Sequence, residues 1–249
     1  MRKDVGLILS NECIAFDTYK MVVRSNLGKE MHPGQFVNIL IDGYSLRRPI
    51  SIASYEEDSY ELIYKVVGDG TKALKTFKAG RPLDVIGPLG NPFPIHDDVQ
   101  EILVLGGGVG VPPLYSLAKA YRSLDKNVIV LLGFNDTASI FYEEEFIALG
   151  CRVLIATMDG STGTKGTVLD ALDVHFGCEK DDFLVYACGP SPMLKAIEHR
   201  FTKGYVSYEA RMACGIGACM GCICHDKAEA DKTYRICKDG PVFAIGKVA

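Results

Sequence analysis

Short apolar runs broken by turn residues recur through the first 97 positions. "FVNILI" (36–41), "ISIAS" (50–54), "YELIYKVV" (60–67) and "RPLDVIGPLG" (81–90) are rich in Val and Ile and are parted by Gly, Pro and Asp. β-branched runs of this length bounded by turn residues predict strands. The opening stretch, "MRKDVGLILSNECIAFD", predicts another, since Asp4 and Glu12 break its apolar run too early for a signal peptide. Short strands at this spacing predict a small barrel. One interruption, "GTKALKTFKAG" (70–80), reads as a helix, with Gly80 as its stop.

From about residue 98 the pattern changes. "EILVLGGGVGVPPLYSLAKAYRSL" is a buried strand, a glycine turn and an amphipathic helix. "NVIVLLGF" (127–134), "CRVLIATMD" (151–159) and "DFLVYACGP" (182–190) predict further buried strands. "FYEEEFIAL" (141–149), "TVLDALDVHF" (167–176) and "PMLKAIEHRF" (192–201) predict the helices between and after them. Strands alternating with helices predict a doubly wound parallel sheet. The expected organisation is therefore residues 1–97 as a β domain, 98–205 as an α/β domain, and 206–249 as a third part.

Composition adds little until the cysteines are counted. The chain is 48% hydrophobic and 23% charged with a net charge of −4, which argues against a nucleic-acid binder. No apolar run approaches the ~18 residues that span a bilayer, so a cytoplasmic location is expected. Of nine cysteines, Cys13, Cys151, Cys178 and Cys188 are scattered, and five crowd the last 36 residues. A disulfide scaffold would spread them through a small chain; the crowding points to a metal.

Their spacing is Cys214-x4-Cys219-x2-Cys222, then Cys237, which is the plant-type [2Fe–2S] pattern. Gly215, Gly217 and Gly221 would let the loop wrap closely and offer N–H groups to sulfur. Structural zinc is the competing reading, with His225 close by. Cys224 lies two residues past Cys222 and is expected to be a non-ligand.

The glycine turn "VLGGGVGVPPL" (104–114) follows a strand and opens a helix, where a pyrophosphate could sit. Gly106-x-Gly108 fits the dinucleotide fingerprint, but Val111 stands at its last glycine position. A tight strand-to-helix connection is the plain alternative. A second glycine-marked strand end, Cys188, Gly189 and Pro190, favours a shared crevice at the carboxyl edge of the sheet. The histidines (His32, His96, His175, His199, His225) are scattered and expected to be solvated.

Taken together, these motifs resemble the ferredoxin reductase-like flavoproteins. The resemblance rests on "RPIS" (48–51), "YKVVGDGT" (64–71), "GGGVGVPPL" and "CGPSPM". It implies a six-stranded antiparallel β-barrel for FAD, a doubly wound parallel-sheet domain for NAD and a small C-terminal [2Fe–2S] domain. Arg48, in the segment Arg48, Pro49, Ile50 and Ser51, would serve the flavin diphosphate, and Ser51 would stand near the reactive ring nitrogen. Ile50 replaces the tyrosine frequent in that superfamily. Lys65, Val66 and Val67 would line the ring by their backbone, and Gly70 and Thr71 would approach the diphosphate. Gly106, Gly107, Gly108 and Gly110, with Cys188, Gly189 and Pro190, would hold the nicotinamide nucleotide, Cys188 beside the carbon that exchanges hydride. "TMDGSTGTKGTV" (157–168) resembles the family's nucleotide loop. "GFNDTASIFY" (133–142) lacks the cation a 2′-phosphate wants, which favours NAD over NADP.

The order flavin, nicotinamide, cluster, with "EARMACGIGACMGC" and "ICKDGPVF", resembles the electron transfer subunits of NAD-dependent dihydroorotate dehydrogenases. That resemblance implies a separate FMN-containing catalytic subunit, a heterotetramer of two catalytic and two electron-transfer subunits, and electrons passing from FMN through [2Fe–2S] and FAD to NAD+ in pyrimidine biosynthesis. The alternative is a related NADH-dependent flavin/iron–sulfur reductase subunit serving ferredoxin, a sulfide-reducing or a hydrogenase complex. A third class, a redox sensor binding nucleotides without turnover, would show no bleaching by NADH.

Overall fold

The computed structural model describes residues 1–177, 183–229 and 231–248 of the 249-residue chain. Cys178, and Asp182 at the start of the strand expected over 182–190, lie outside the described residues.

The first strand, β1 (Arg2–Ala15), is long because it serves two partners. Residues Arg2–Leu7 pair with β6 (Pro82–Leu89), and Leu7–Ala15 pair with β2 (Thr18–Arg24). One strand bridging both edges closes a barrel of order β1-β2-β5-β4-β3-β6, with β3 at Phe36–Ile39, β4 at Arg48–Tyr55 and β5 at Ser59–Lys65. All its pairings are antiparallel, and closure leaves no free edge. Ile8, Met21, Val37, Ile52, Leu62 and Val85 fill the interior.

Two local findings differ from the sequence pattern. Strand β2, "TYKMVVR", is an additional strand, entered by a hairpin turn with Asp17 at φ +50°. Its inward residues Met21 and Val23 are parted by apolar Val22, so the run shows no clear alternation, and it is short. The helix α1 covers only Asp69–Leu74, so Gly80 is not its stop. Asn11 on β1 donates from Nδ2 to the carbonyls of Leu74 (3.0 Å) and Phe77 (3.1 Å) and so takes the acceptors that a continuing helix would use.

The remaining strands are β7 (Glu101–Gly107), β8 (Asn127–Phe134), β9 (Arg152–Thr157), β10 (Thr164–Lys165), β11 (Leu184–Cys188), β12 (Gly204–Ser207), β13 (Ile223–His225), β14 (Thr233–Arg235) and β15 (Val242–Ala244). The second sheet has the order β10-β9-β8-β7-β11-β12-β15, parallel from β10 to β12, with β15 antiparallel. Helices α2 (Pro112–Ser123) and α3 (Glu143–Ala148) bury Leu114, Leu117 and Phe146 in one core. Helices α4 (Val168–Phe176) and α5 (Ser191–Arg200) bury Leu172, Leu194 and Ile197 in another. Buried strands between two helical cores are the doubly wound arrangement.

The parts are joined by shared packing. Ala53 and Ile63, on the barrel, belong to the core that α2 fills. A buried Ile such as Ile63 contributes roughly 1.5–3 kcal/mol. The tail is interlocked as well: β15 returns to the sheet beside β12, and β13 and β14 form a two-stranded sheet. Among the described residues no helix is long and apolar enough to cross a membrane.

Candidate nucleotide clefts and cysteine loop

The strand register sets the first cleft. Gly106 of β7 lies between Cys188 of β11 and Leu132 of β8, and Phe134 faces Thr157 of β9. The carboxyl ends of four parallel strands therefore stop at one level, where ligands of open α/β sheets bind. A cleft of about 320 Å³ opens there, lined by Gly107, Gly108, Gly133, Thr167, Gly189 and Met193 among others. That size is within the range of ligand sites, roughly 300–1,000 Å³. The expected Gly107, Gly108, Gly189 and Pro190 line it, as do Asn135, Ser139, Met158 and Gly166 from the two loops singled out in the sequence. Among the described residues, Lys65 is its one lysine or arginine.

Gly106 and Gly110 lie behind this wall and act through packing. A Cβ on Gly110 would stand 2.3 Å from the Cys188 carbonyl oxygen, so only glycine lets the turn close against β11. Gly106 sits against Val111 and Leu114. The turn passes through a 3-10 segment, Gly108–Gly110, before Pro112 starts α2.

A second cleft, about 300 Å³, lies between the barrel and the sheet. Arg48, Pro49, Ile50 and Ser51 of β4 line it, with Lys65, Val67, Thr71 and Cys188. The Arg48 guanidinium is 5.0 Å from the centre of the Tyr44 ring and donates to the Leu46 carbonyl. Gly70 lies beneath it; a Cβ there would be 2.2 Å from Arg48 Nε. Thr71 spends its hydroxyl on its own loop, accepting from the N–H groups of Val67 (3.0 Å) and Gly68 (3.2 Å). Val66 lines neither cleft, and its N–H donates to the Asp17 carbonyl.

The two clefts share walls at Lys65, Val109 and Glu209. Cys188, 3% exposed, sits beside this junction, paired in the ladder with Ser207. Burial, with Glu209 adding to it, pushes its thiol well above the usual range, so it stays neutral at physiological pH. Glu209 is exposed and lines both clefts, and partial desolvation by the cleft walls raises its carboxyl. Sequence reasoning missed Glu209. Its signal was position: it follows β12 at the edge where the other strands end.

The cysteine loop lies against the barrel beside the second cleft, to whose wall Phe36 of β3 and Ala210 and Met212 of the tail contribute. Cys222 and Cys237, 4% and 2% exposed, are core members with Phe36, Leu89, Ile236 and Phe243. Cys214 and Cys219 are half-buried. Backbone amides reach the sulfurs, Gly217 N–H to Cys237 Sγ at 3.2 Å and Cys219 N–H to Cys214 Sγ at 3.3 Å. Burial would raise the Cys214 thiol, but the N–H groups of Ile216, Cys219 and Ala218 outweigh it and hold it at about 6. Cys237 is pushed up to about 12 by burial and by the adjoining Cys222 thiol. The thiols thus neighbour one another in two pairs, 214 with 219 and 222 with 237. Among the described residues no three His, Cys, Asp or Glu side chains close on one metal ion. A binuclear cluster takes two thiolates on each iron. Cys224, on β13, turns its thiol to the Tyr234 carbonyl at 3.7 Å.

One histidine departs from expectation. His96 is half-buried, stacked on Tyr205 and bonded to its hydroxyl at 2.9 Å. It follows the last barrel residues and helps fix the turn into the α/β part.

The barrel, the doubly wound sheet and the cysteine loop define an NAD-linked oxidoreductase of the ferredoxin reductase-like class with an added iron–sulfur module. Residues 209–249 match the iron–sulfur cluster binding domain of dihydroorotate dehydrogenase B, and residues 104–199 match the oxidoreductase NAD-binding domain. Dihydroorotate dehydrogenase B (NAD(+)) electron transfer subunits of Bacillus cereus (strain AH187) and Bacillus anthracis (strain A0248) are each 43% identical to it, over 100% of this chain and 99% of theirs. The chain belongs to that family of electron transfer subunits. Among solved structures, that of an NADH-dependent reduced ferredoxin-NADP oxidoreductase is similar over 99% of this chain and 90% of its own, at 32% identity and a TM-score of 0.88. A ferredoxin reductase of carbazole 1,9a-dioxygenase shares the fold at 22% identity, covering 79% of this chain and 64% of its own, with a TM-score of 0.69.

Proposed function

We propose that this chain passes electrons from the FMN of a dihydroorotate-oxidising catalytic subunit, by way of a [2Fe–2S] cluster and FAD, to NAD+ in cytoplasmic pyrimidine biosynthesis. The single observation that carries the reading is contiguity. The two clefts share Lys65, Val109 and Glu209, and the cysteine loop packs on Phe36, which also lines the barrel cleft. Bound flavin and cluster would supply the conversion between a two-electron hydride and single electrons.

The residues present fit those groups. Arg48 offers a cation at the barrel cleft, over the space that Gly70 leaves open, and so binds the flavin diphosphate. Pro49, Ile50, Lys65 and Val67 form the walls, and Thr71 braces the loop from Val67 to Gly70. Ser51 supplies a hydroxyl beside the flavin ring. Cys188, neutral and buried, fills the junction without adding charge where hydride passes, and Glu209 is the carboxylate there. Gly107, Gly108, Gly189 and Pro190 let the nicotinamide nucleotide approach, with Gly106 and Gly110 shaping the turn and Val66 tying the flavin loop to Asp17. The residues that the 133–142 stretch lends to that cleft, Gly133, Phe134, Asn135, Ser139 and Phe141, offer no cation to a 2′-phosphate, which favours NAD over NADP.

Cys214, Cys219, Cys222 and Cys237 are the cluster ligands in this reading, supported by their spacing, their pairing and the N–H groups aimed at sulfur. Exposed Ile216, Met220 and Ile223 surround the loop, an apolar rim suited to the catalytic subunit of a two-plus-two heterotetramer. The three parts are taken as residues 1–97, 98–205 and 206–249, the last interlocked with the second through β15. The 32% likeness to a ferredoxin-linked enzyme supports a different redox partner, but the 43% identity over whole chains favours a dihydroorotate-oxidising one.

NADH added anaerobically to the loaded chain tests the reading. The expected result is bleaching of both flavin and iron–sulfur absorption. Unchanged spectra with both groups present would overturn it.

A further inference from the structure

Asn38 sits in the middle of β3 and is 1% exposed. Across the ladder it faces Pro49 of the barrel cleft on one side and Ile86 on the other. Its backbone carbonyl accepts from Arg47 Nη1 at 3.2 Å. Its side chain makes one bond, and that bond leaves the barrel: Nδ2 donates to the carbonyl of Cys214, 176 positions away, at 3.0 Å. Gly215 follows so closely that a Cβ there would stand 2.4 Å from the same nitrogen. The amide oxygen, Oδ1, is buried and has no hydrogen-bond partner among the described residues.

A buried acceptor without a donor costs stability, and an apolar side chain of the same size would avoid that cost. Such a group needs an explanation. Here the donor half of the amide supplies it. The loop is held at a second carbonyl too, since Arg235 Nη1 donates to Gly217 at 2.7 Å, but that tie runs within the tail. Among the described residues, only the Asn38 bond ties the backbone of the first cysteine to the wall of the flavin cleft.

We propose that Asn38 is a positioning residue for the iron–sulfur loop, fixing Cys214 by its carbonyl in register with the flavin barrel. The proposal rests on the reading of Cys214 as a cluster ligand. Asn38 touches no reacting atom; it acts through the backbone of Cys214, and Gly215 is the residue that lets the loop come within its reach.

The test uses the full chain loaded with flavin and cluster. Asn38→Leu keeps the volume, removes the donor and removes the orphaned oxygen. Loss of one such bond is worth about 0.5–1.5 kcal/mol, so iron release to a chelator is expected to quicken by up to about tenfold. The electron paramagnetic resonance spectrum of the dithionite-reduced cluster should broaden or shift. Flavin content and thermal midpoint should hold, because the orphaned acceptor is gone. Asn38→Ala provides a second variant if Leu does not fit, with the same change in iron release. Wild-type iron release together with a wild-type spectrum would overturn the proposal. So would loss of flavin and fold in both variants, which would make Asn38 a residue of barrel stability alone. Cys214→Ser, run alongside, separates the two claims. If it keeps its iron, the ligand reading fails and takes the Asn38 proposal with it. If it loses iron while Asn38→Leu is unchanged, only the Asn38 proposal fails.

Discussion

The nucleotide clefts and the cysteine tail are built on opposite terms. The clefts are gaps between large cores: a closed barrel on one side and a parallel sheet between helices on the other. Their shape comes from buried Leu, Ile and Val that have no part in the chemistry. The tail has a small core in which Cys222 and Cys237 are themselves members, leaning on Phe36 and Leu89 borrowed from the barrel. A segment of the tail's size seldom builds a sufficient core without a metal or a disulfide, and metal binding then becomes folding free energy. The clefts should therefore exist before their ligands arrive, whereas the tail should depend on its cluster.

The sharpest way to break this contrast is Cys222→Ser. Iron content should fall to background and the tail should become sensitive to protease, while flavin binding and the barrel's thermal midpoint stay near wild type. Simultaneous loss of flavin would show that the parts do not fold independently. Next in size is Arg48→Ala. Losing a hydrogen bond to a charged group costs roughly 1.5–3 kcal/mol, or about 10- to 100-fold in flavin affinity, with iron content unchanged. Titration of the apoprotein with FAD reads this directly, and unaltered affinity would remove Arg48 from the diphosphate site.

A smaller effect concerns acid. The Lys247 ammonium, then the Ala228 N–H and the Tyr234 hydroxyl, hold the Asp226 carboxyl well below its ordinary value of 3.8. A depressed pKa stabilises the fold above the unfolded value and loses that contribution as pH falls through the folded one. The advantage of wild type over Asp226→Asn in tail stability should be complete above pH 3.8 and shrink at lower pH. A gap that stays constant between about pH 5 and 3 would contradict the assignment. The smallest expected change is Cys224→Ser. Its thiol faces a carbonyl, so iron content should not move. Iron loss there would mean that the wrong cysteine is counted as spare.

Much of the fold was legible because its signals are local. The run "NVIVLLGF" is β8 residue for residue, and the shift from short apolar runs to strand–helix repeats marked the passage from barrel to sheet. The cysteine spacing and the glycine turn were legible because backbone chemistry fixes their residue types. What escaped depends on distant partners. Strand β2 is identified by its pairing with β1 and β5, the end of α1 by Asn11 some 60 positions earlier, and β15 by its ladder to β12. Glu209 opens the quoted "EARMACGIGACMGC" and Asn38 lies within "FVNILI", but neither stretch tells their roles; one gains its place from the level at which the strands stop, the other from a bond across 176 positions.

Dihydroorotate-dependent reduction of NAD+ tests the central claim most directly, with the loaded chain alone and mixed with the FMN-containing catalytic subunit from the same source. The account predicts NADH formation in the mixture and none from this chain by itself. No NADH in the mixture, with FAD, FMN and cluster all shown intact, would contradict it.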